Sequence, residues 1–219
     1  SSDGSARDGI GSMTREQVFE EISKIDFKKP FSNEEKTKYF DEFQQTLTAL
    51  QEARTTVAKE GERVSPFLYR PVLTLGSIHR DVGNFERAEL AFFLAHELVP
   101  GAYPPLGNLG ELYFRHMKDY QKAEKYYLMA VESPGDHLDT YYFELSQLYR
   151  FFLNDEKRGE QILIDGETKY SDNTSILALL ALYYRETGQT EKALSRYNEL
   201  LVKDPTSQVA QRALEELKQ

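Results

Sequence analysis

The feature that most constrains the fold of this chain is a fourfold internal repeat that begins near residue 66. Four segments align, and each contains two amphipathic helical patterns joined by a short polar turn. A small residue opens every second pattern, at intervals of 35, 36 and 34 residues: Ala88, Ala123, Gly159 and Ala193. A bulky residue follows four positions later: Phe92, Tyr127, Leu163 and Tyr197. Because one such pair cannot bury its apolar face alone, the sequence predicts that the pairs stack on one another.

These segments resemble the tetratricopeptide repeat family. The likeness extends to glycines in first helices, to tyrosines a few residues later and to prolines that close repeats: Leu75-Gly76, Leu109-Gly110, Tyr113, Tyr149, Tyr184, Pro100 and Pro205. The resemblance implies an all-α fold, a right-handed α-solenoid of helix-turn-helix repeats with an N-terminal helical extension. It also implies that the first helices line a concave groove.

The sequence divides into four parts. Residues 1–13 are small, polar and rich in Gly and Ser, which is typical of a flexible linker or an expression remnant. Residues 14–65 are expected to form an N-terminal helical extension, residues 66–205 four repeats, and residues 206–219 a C-terminal capping helix. The sequence leaves open whether the extension caps the solenoid or occupies part of its groove.

The third repeat departs from the others in two ways. Gly159 and Gly166 replace two alanines, and the closing proline is missing. The glycines fit either sequence drift or an unusually close approach of two helices. The second and third repeats each contain one residue more than the others, which we expect in the turn between their helices.

Four arginines recur late in the first helices at a constant interval of 35 residues: Arg80, Arg115, Arg150 and Arg185. One interpretation is structural, because basic residues near a helix C-terminus complement its dipole and pair with neighbouring acids, here Asp81, Glu111 and Glu186. The other is functional: a column of arginines binds the carboxylates of an acidic or C-terminal peptide.

The predicted peptide-binding groove contains the four arginines together with six further residues of the first helices: Leu73, Ser77, Asn108, Glu111, Phe143 and Gln147. The carboxylate-clamp subset of the family is a poor match. Leu73 and Ser77 stand where that clamp has Lys and Asn, and Thr140 and Glu144 stand where it has Lys and Arg. Asn108 stands where the second repeat of that clamp also has asparagine.

No catalytic or cofactor-binding motif is found, so we expect neither an enzyme nor a resident cofactor or metal. His79 stands where the family often has tyrosine, and a packed core histidine is expected there. Cysteine is absent, and 36 acidic against 27 basic residues argue against general nucleic-acid binding. No apolar run is long enough to span a membrane. The sequence favours the cytoplasm over an extracytoplasmic soluble domain without deciding between them.

The expected function is a non-catalytic scaffold that binds a peptide or partner segment, acidic in one version of the hypothesis, in the concave groove. Two alternatives fit the same residues. One is a self-assembly module that forms homo-oligomers, and the other is an accessory subunit of an enzyme or of a membrane-associated complex.

Overall fold

The computed structural model describes residues 65–135 and 138–217. Within these ranges the chain is helical and contains no strand, which confirms the predicted all-α fold class. The expectations for residues 1–13 and for most of 14–65 lie outside the described residues. No helix in the described part of the chain is both long and apolar enough to cross a bilayer.

In the described part of the chain, eight helices form four consecutive pairs and a ninth follows them. Their bounds are α1 Ser65–Asp81, α2 Phe85–Leu98, α3 Tyr103–Glu111, α4 Tyr120–Glu132, α5 Asp139–Phe151, α6 Glu156–Lys169, α7 Thr174–Glu186, α8 Thr190–Lys203 and α9 Gln208–Leu217. A π-helical segment, Leu112–Met117, continues α3. The described residues belong to two compact units, divided between Met129 and Ala130.

The turn inside each pair is built in the same way. One residue adopts the left-handed conformation five positions before the small residue of the second helix: Gly83 (φ 79°), Lys118 (57°), Asn154 (52°) and Gly188 (72°). The amide of the next residue then donates to a carbonyl near the end of the first helix, as Gln189 N does to Tyr184 O at 2.8 Å. This bond satisfies a carbonyl that the helix end would otherwise leave without a donor.

Glycines in the first helices allow the two helices of a pair to approach closely. A Cβ on Gly76 would lie 2.5 Å from the ring of Phe92, and a Cβ on Gly110 would lie 2.5 Å from the ring of Tyr127. These rings belong to the bulky residues that follow the small residue of each second helix, and both are buried. The glycine and the aromatic ring therefore fit each other as a pair.

The glycines of the third repeat also mark close contacts. A Cβ on Gly159 would lie 2.9 Å from Arg150 Cγ, and one on Gly166 would lie 2.9 Å from the ring of Tyr142. Ser146 Oγ donates to the carbonyl of Gly159 at 2.9 Å. Of the two interpretations that the sequence left open, the structure supports close approach over drift.

The extra residue of the second repeat lies in its first helix. The π-helical segment ends at Met117, and only Lys118 and Asp119 separate it from α4. In the third repeat four residues, 152–155, separate the two helices. The expectation of a longer turn is therefore confirmed for the third repeat and wrong for the second, because a π-helical turn absorbs an inserted residue without ending the helix.

The last helix, α9, packs onto α8 through three buried residues: Ala210, Ala213 and Leu214. Its remaining residues are mostly polar and exposed. Such a helix covers the apolar face that the last repeat would otherwise leave in water.

Candidate functional site

The first helices place the predicted site residues on one stripe each. Along α1, α5 and α7 the half-buried positions recur every three or four residues, between buried residues that face the second helices. This spacing keeps one face of each helix turned away from the core. The half-buried candidates are Leu73, Ser77, Arg80, Asn108, Glu111, Phe143, Gln147, Arg150 and Arg185; Arg115 is exposed.

In the first unit the structure brings three candidates together. Arg80 Nη1 donates to Glu111 Oε2 at 2.7 Å and to Asn108 Oδ1 at 3.3 Å. Arg80 Nε donates to Asp81 Oδ1 at 3.0 Å. The Arg80 guanidinium is thus held by the carboxylate of Glu111, from the first helix of the second repeat, and by the carboxylate of its neighbour Asp81.

The polar groups around Arg80 are also engaged within the protein. Asn108 Nδ2 donates to Pro104 O at 2.9 Å, one turn earlier on the same helix. Ser77 Oγ donates to Leu73 O at 3.3 Å in the same manner. The Asn108 amide therefore points its donor at the backbone, unlike an asparagine poised to donate to a ligand.

Arg115 differs from the other three arginines. It stands five positions after Gly110, whereas Arg80 stands four positions after Gly76, because the π-helical segment adds one residue. Its side chain is exposed, and its guanidinium lies 5.6 Å from the centre of the Phe114 ring. The constant interval of 35 residues therefore does not give Arg115 the same surroundings as Arg80.

In the second unit, Arg150 is fixed on several sides. Its Nη1 donates to Glu186 Oε2 at 2.7 Å, and its side chain is only 8% exposed. The guanidinium lies 4.6 Å from the ring centre of Phe151 and 4.8 Å from that of Tyr183. Glu186 belongs to the first helix of the next repeat, so this pair connects α5 to α7.

Arg185 makes the corresponding contact with the last helix. Its Nη1 lies 3.3 Å from Glu216 Oε2, and the two side chains are 36% and 67% exposed. We call Arg80–Glu111, Arg150–Glu186 and Arg185–Glu216 the crossing ion pairs, because each joins a first helix to the next one or to α9.

The crossing ion pairs favour the structural interpretation of the arginines. The predicted pairing with Asp81, Glu111 and Glu186 is confirmed, although Glu186 pairs with Arg150 and not with its neighbour Arg185. Glu216 was not foreseen. It lies 31 residues after Arg185, as Glu111 does after Arg80, but Glu186 lies 36 residues after Arg150, so the separation alone does not fix the partner.

A second set of cations covers the tyrosines at the end of the first helices. Lys122 Nζ lies 4.9 Å from the ring centre of Tyr113, and Lys192 Nζ lies 4.8 Å from that of Tyr184. Burial, followed by the nearby Glu160, raises the pKa of Tyr184 to about 12. Tyr184 therefore stays neutral at physiological pH, and its role is packing and cation–π contact rather than acid–base chemistry.

His79 takes the tyrosine's place in the first repeat. It is 3% exposed, which confirms the prediction of a buried core histidine. Burial, followed by the charge of Arg87, lowers its pKa to about 4. Within residues 65–135 and 138–217 no group of three or more His, Cys, Asp or Glu residues is arranged to hold a metal ion.

Comparison with known proteins gives matches of three kinds: family models, a sequence relative and solved structures. The tetratricopeptide repeat models match residues 103–137 and residues 178–207. A sequence relative is anaphase-promoting complex subunit CDC16 of Saccharomyces cerevisiae, 26% identical over 171 residues. That match covers 75% of this chain and 20% of the relative, so the chain spans about a fifth of the relative's length.

Among solved structures, a tetratricopeptide repeat protein from Parabacteroides merdae matches with a TM-score of 0.52 and 18% identity. The match covers 92% of this chain and 72% of that one. The structure of YrrB, described as a tetratricopeptide repeat protein with an unusual peptide-binding site, matches with a TM-score of 0.48, 16% identity and coverage of 75% and 81%. The Parabacteroides match supports the fold alone.

The matched segments coincide with the second and fourth helical pairs, each of which has a left-handed residue in its turn. These two matches confirm the resemblance to the tetratricopeptide repeat family that the sequence predicted.

Proposed function

We propose that this chain is a non-catalytic interaction scaffold that binds a peptide or a segment of a partner protein along the face of its first helices. The supporting observation is the half-buried stripe that recurs on these helices in both units. Residues on such a stripe are accessible to a ligand, while the buried residues beside them hold the helix in place. Repeat proteins generally use surfaces of this kind to bind extended partners.

The binding residues proposed in the second unit are Phe143, Gln147, Arg150 and Arg185, and those in the first unit are Leu73, Ser77, Arg80, Asn108, Glu111 and Arg115. Apolar contacts would supply most of the affinity, because Arg80, Arg150 and Arg185 already bond to carboxylates of the chain. The arginines then contribute by holding the first helices at a fixed spacing, which keeps the face ready for a ligand.

A pair of glutamine variants tests the proposed face. Gln147 lies on the stripe of α5, whereas Gln161 is exposed on the second helix α6. The full chain is used to select from a displayed library of random peptides, and the affinity of enriched peptides is then measured by fluorescence anisotropy. Gln147→Trp is expected to weaken binding about tenfold by obstructing the face, while Gln161→Trp leaves it unchanged. Equal effects of the two variants, or no enriched peptide, would contradict the proposal.

A second candidate function is that of a structural subunit in a larger assembly. It is favoured by one observation, the likeness to a protein named as a subunit of the anaphase-promoting complex. Isolation of the native protein under gentle conditions, followed by cross-linking and mass measurement, tests this role. A protein that sediments alone at every concentration would count against it.

A further inference from the structure

The first-helix face of the second unit contains an apolar row beside its ion pairs. Phe143 lies seven residues before Arg150, and Ala178 lies seven residues before Arg185. Seven residues are about two helical turns, so each apolar residue shares a face with its arginine. Leu182 stands between Ala178 and Arg185 on α7. All three apolar residues are half-buried and therefore partly accessible.

The charges of the two ion pairs beside this row are balanced. Arg150 bonds to Glu186 and Arg185 to Glu216, so two positive side chains are matched by two negative ones from the same unit. A ligand carboxylate at Arg150 would face the negative charge of Glu186, and Arg150 Nε, which has no hydrogen-bond partner among the described residues, is buried. The Arg150 side chain is 8% exposed and its guanidinium lies 4.6 Å and 4.8 Å from the centres of two aromatic rings, so an incoming carboxylate gains little contact with it.

The glycine beneath Arg150 fixes this arrangement. A Cβ on Gly159 would lie 2.9 Å from Arg150 Cγ, so the aliphatic stem of the arginine lies directly against α6. An arginine that reached into solvent for a ligand would not need this glycine. Arg150 is therefore built into the repeat as a packed side chain.

We propose that the α5–α7 face selects an uncharged segment with apolar side chains and discriminates against acidic segments. This inference rests on the proposed function and specifies the chemistry of its partner. The row of Phe143, Ala178 and Leu182 supplies the apolar contact. The paired arginines and glutamates disfavour a ligand of either charge. Such a ligand would face a like charge or compete with an existing ion pair.

The selection experiment tests this partner chemistry through the composition of the enriched peptides and their salt dependence. The wild-type chain is expected to enrich apolar peptides that are poor in Asp and Glu. Their affinity should change by less than about twofold between low and high salt, because little charge is involved. Acidic enriched peptides, with an affinity that falls steeply as salt increases, would overturn this inference and leave the proposed function standing.

Two matched asparagine variants test the location. Leu182→Asn places an amide in the apolar row, whereas Val202→Asn changes an aliphatic residue of α8 that is 82% exposed. Leu182→Asn is expected to weaken the binding of the enriched peptides about tenfold, and Val202→Asn to leave their affinity unchanged. Circular dichroism melts establish that both variants fold. If Leu182→Asn does not fold, the composition and salt dependence of the peptides enriched on the wild-type chain still test the inference. If both variants fold and bind the peptides with equal affinity, the inference is overturned.

The failure of this inference differs from the failure of the proposed function. If the library yields no binding peptide on the wild-type chain, both are contradicted. If it yields peptides that bind in an acidic, salt-dependent manner, or that are insensitive to Leu182→Asn, only the apolar selectivity of the α5–α7 face is contradicted.

Discussion

At the scale of single residues, His79 makes the stability of the fold depend on pH. It occupies a packing position that tyrosine fills in the other three repeats. The equivalent residues of the third and fourth repeats, Tyr149 and Tyr184, are buried beneath cations, Arg158 at 4.2 Å and Lys192 at 4.8 Å from the ring centres. His79 is buried at the same place with Arg87 nearby, so protonating its ring would place a second positive charge there.

The His79→Tyr variant is expected to lose part of the acid sensitivity of the fold. The pKa of His79 is about 4 in the folded chain and 6.5 ordinarily, so the unfolded chain binds more protons below pH 6.5. The stabilising contribution is thus complete above pH 6.5 and is lost as the pH falls towards 4. The free energy of unfolding is measured with urea at about pH 7 and about pH 5. Between these values it should fall by about 2 kcal/mol more in the wild type than in the variant. Equal decreases would contradict the assignment.

The left-handed residues of the turns give a second prediction at this scale. Lys118 has a φ of 57° and Asn154 one of 52°, where the first and fourth repeats have glycine. Lys118→Gly is expected to raise the free energy of unfolding by up to about 1 kcal/mol, because glycine adopts this conformation without steric cost. Asn154→Gly should raise the free energy of unfolding by less, since asparagine tolerates the left-handed region. Thermal unfolding of the two variants compares them, and a destabilised Lys118→Gly would contradict the turn geometry.

At the scale of elements, the sequence predicted the helical pairs because their signals are local and repeated. The small residue, the bulky residue four positions later and the polar turn each recur in every pair. The π-helical segment was missed, yet its signal is present: Arg115 stands five positions after Gly110, whereas Arg80 stands four positions after Gly76. An extra residue can be placed in a turn or in a helix at similar cost, and the spacing alone does not decide.

The close approach of helices in the second repeat is tested by a matched pair of glycine variants. A Cβ on Gly110 would lie 2.5 Å from the ring of Tyr127, whereas one on Gly101 meets no atom within 4 Å. Gly110→Ala is expected to lower the free energy of unfolding by about 1–3 kcal/mol through overpacking, and Gly101→Ala to change it little. Denaturant unfolding measures both. If alanine is tolerated equally at the two positions, α3 and α4 do not pack as described.

The candidate site was less predictable than the fold. The 35-residue interval placed four arginines on the first helices, and the structure shows that three of them are half-buried and one is exposed. Periodicity determines which face of a helix a residue occupies. It does not determine which acid a long side chain reaches: Glu111 and Glu216 each lie 31 residues after their arginine, whereas Glu186 lies 36 residues after Arg150.

At the scale of the whole molecule, the chain has a net charge of -9, so each buried or half-buried arginine has many acids available as partners. The crossing ion pairs use these acids to connect one repeat with the next. In a solenoid every repeat contacts only its neighbours, and stability depends on such contacts between adjacent repeats. Arg80, Arg150 and Arg185 therefore hold neighbouring helices together, and we propose that a ligand binds beside them.

A double-mutant cycle on Arg150 and Glu186 tests this claim most directly. The free energies of unfolding of the wild type, Arg150→Ala, Glu186→Ala and the double variant are measured by urea denaturation, with Arg185 and Glu216 as the exposed control pair. The account predicts a favourable coupling of about 1 kcal/mol or more for Arg150–Glu186 and less than about 0.5 kcal/mol for Arg185–Glu216. A coupling near zero for Arg150–Glu186 would show that the pair does not join α5 to α7 and would contradict the account.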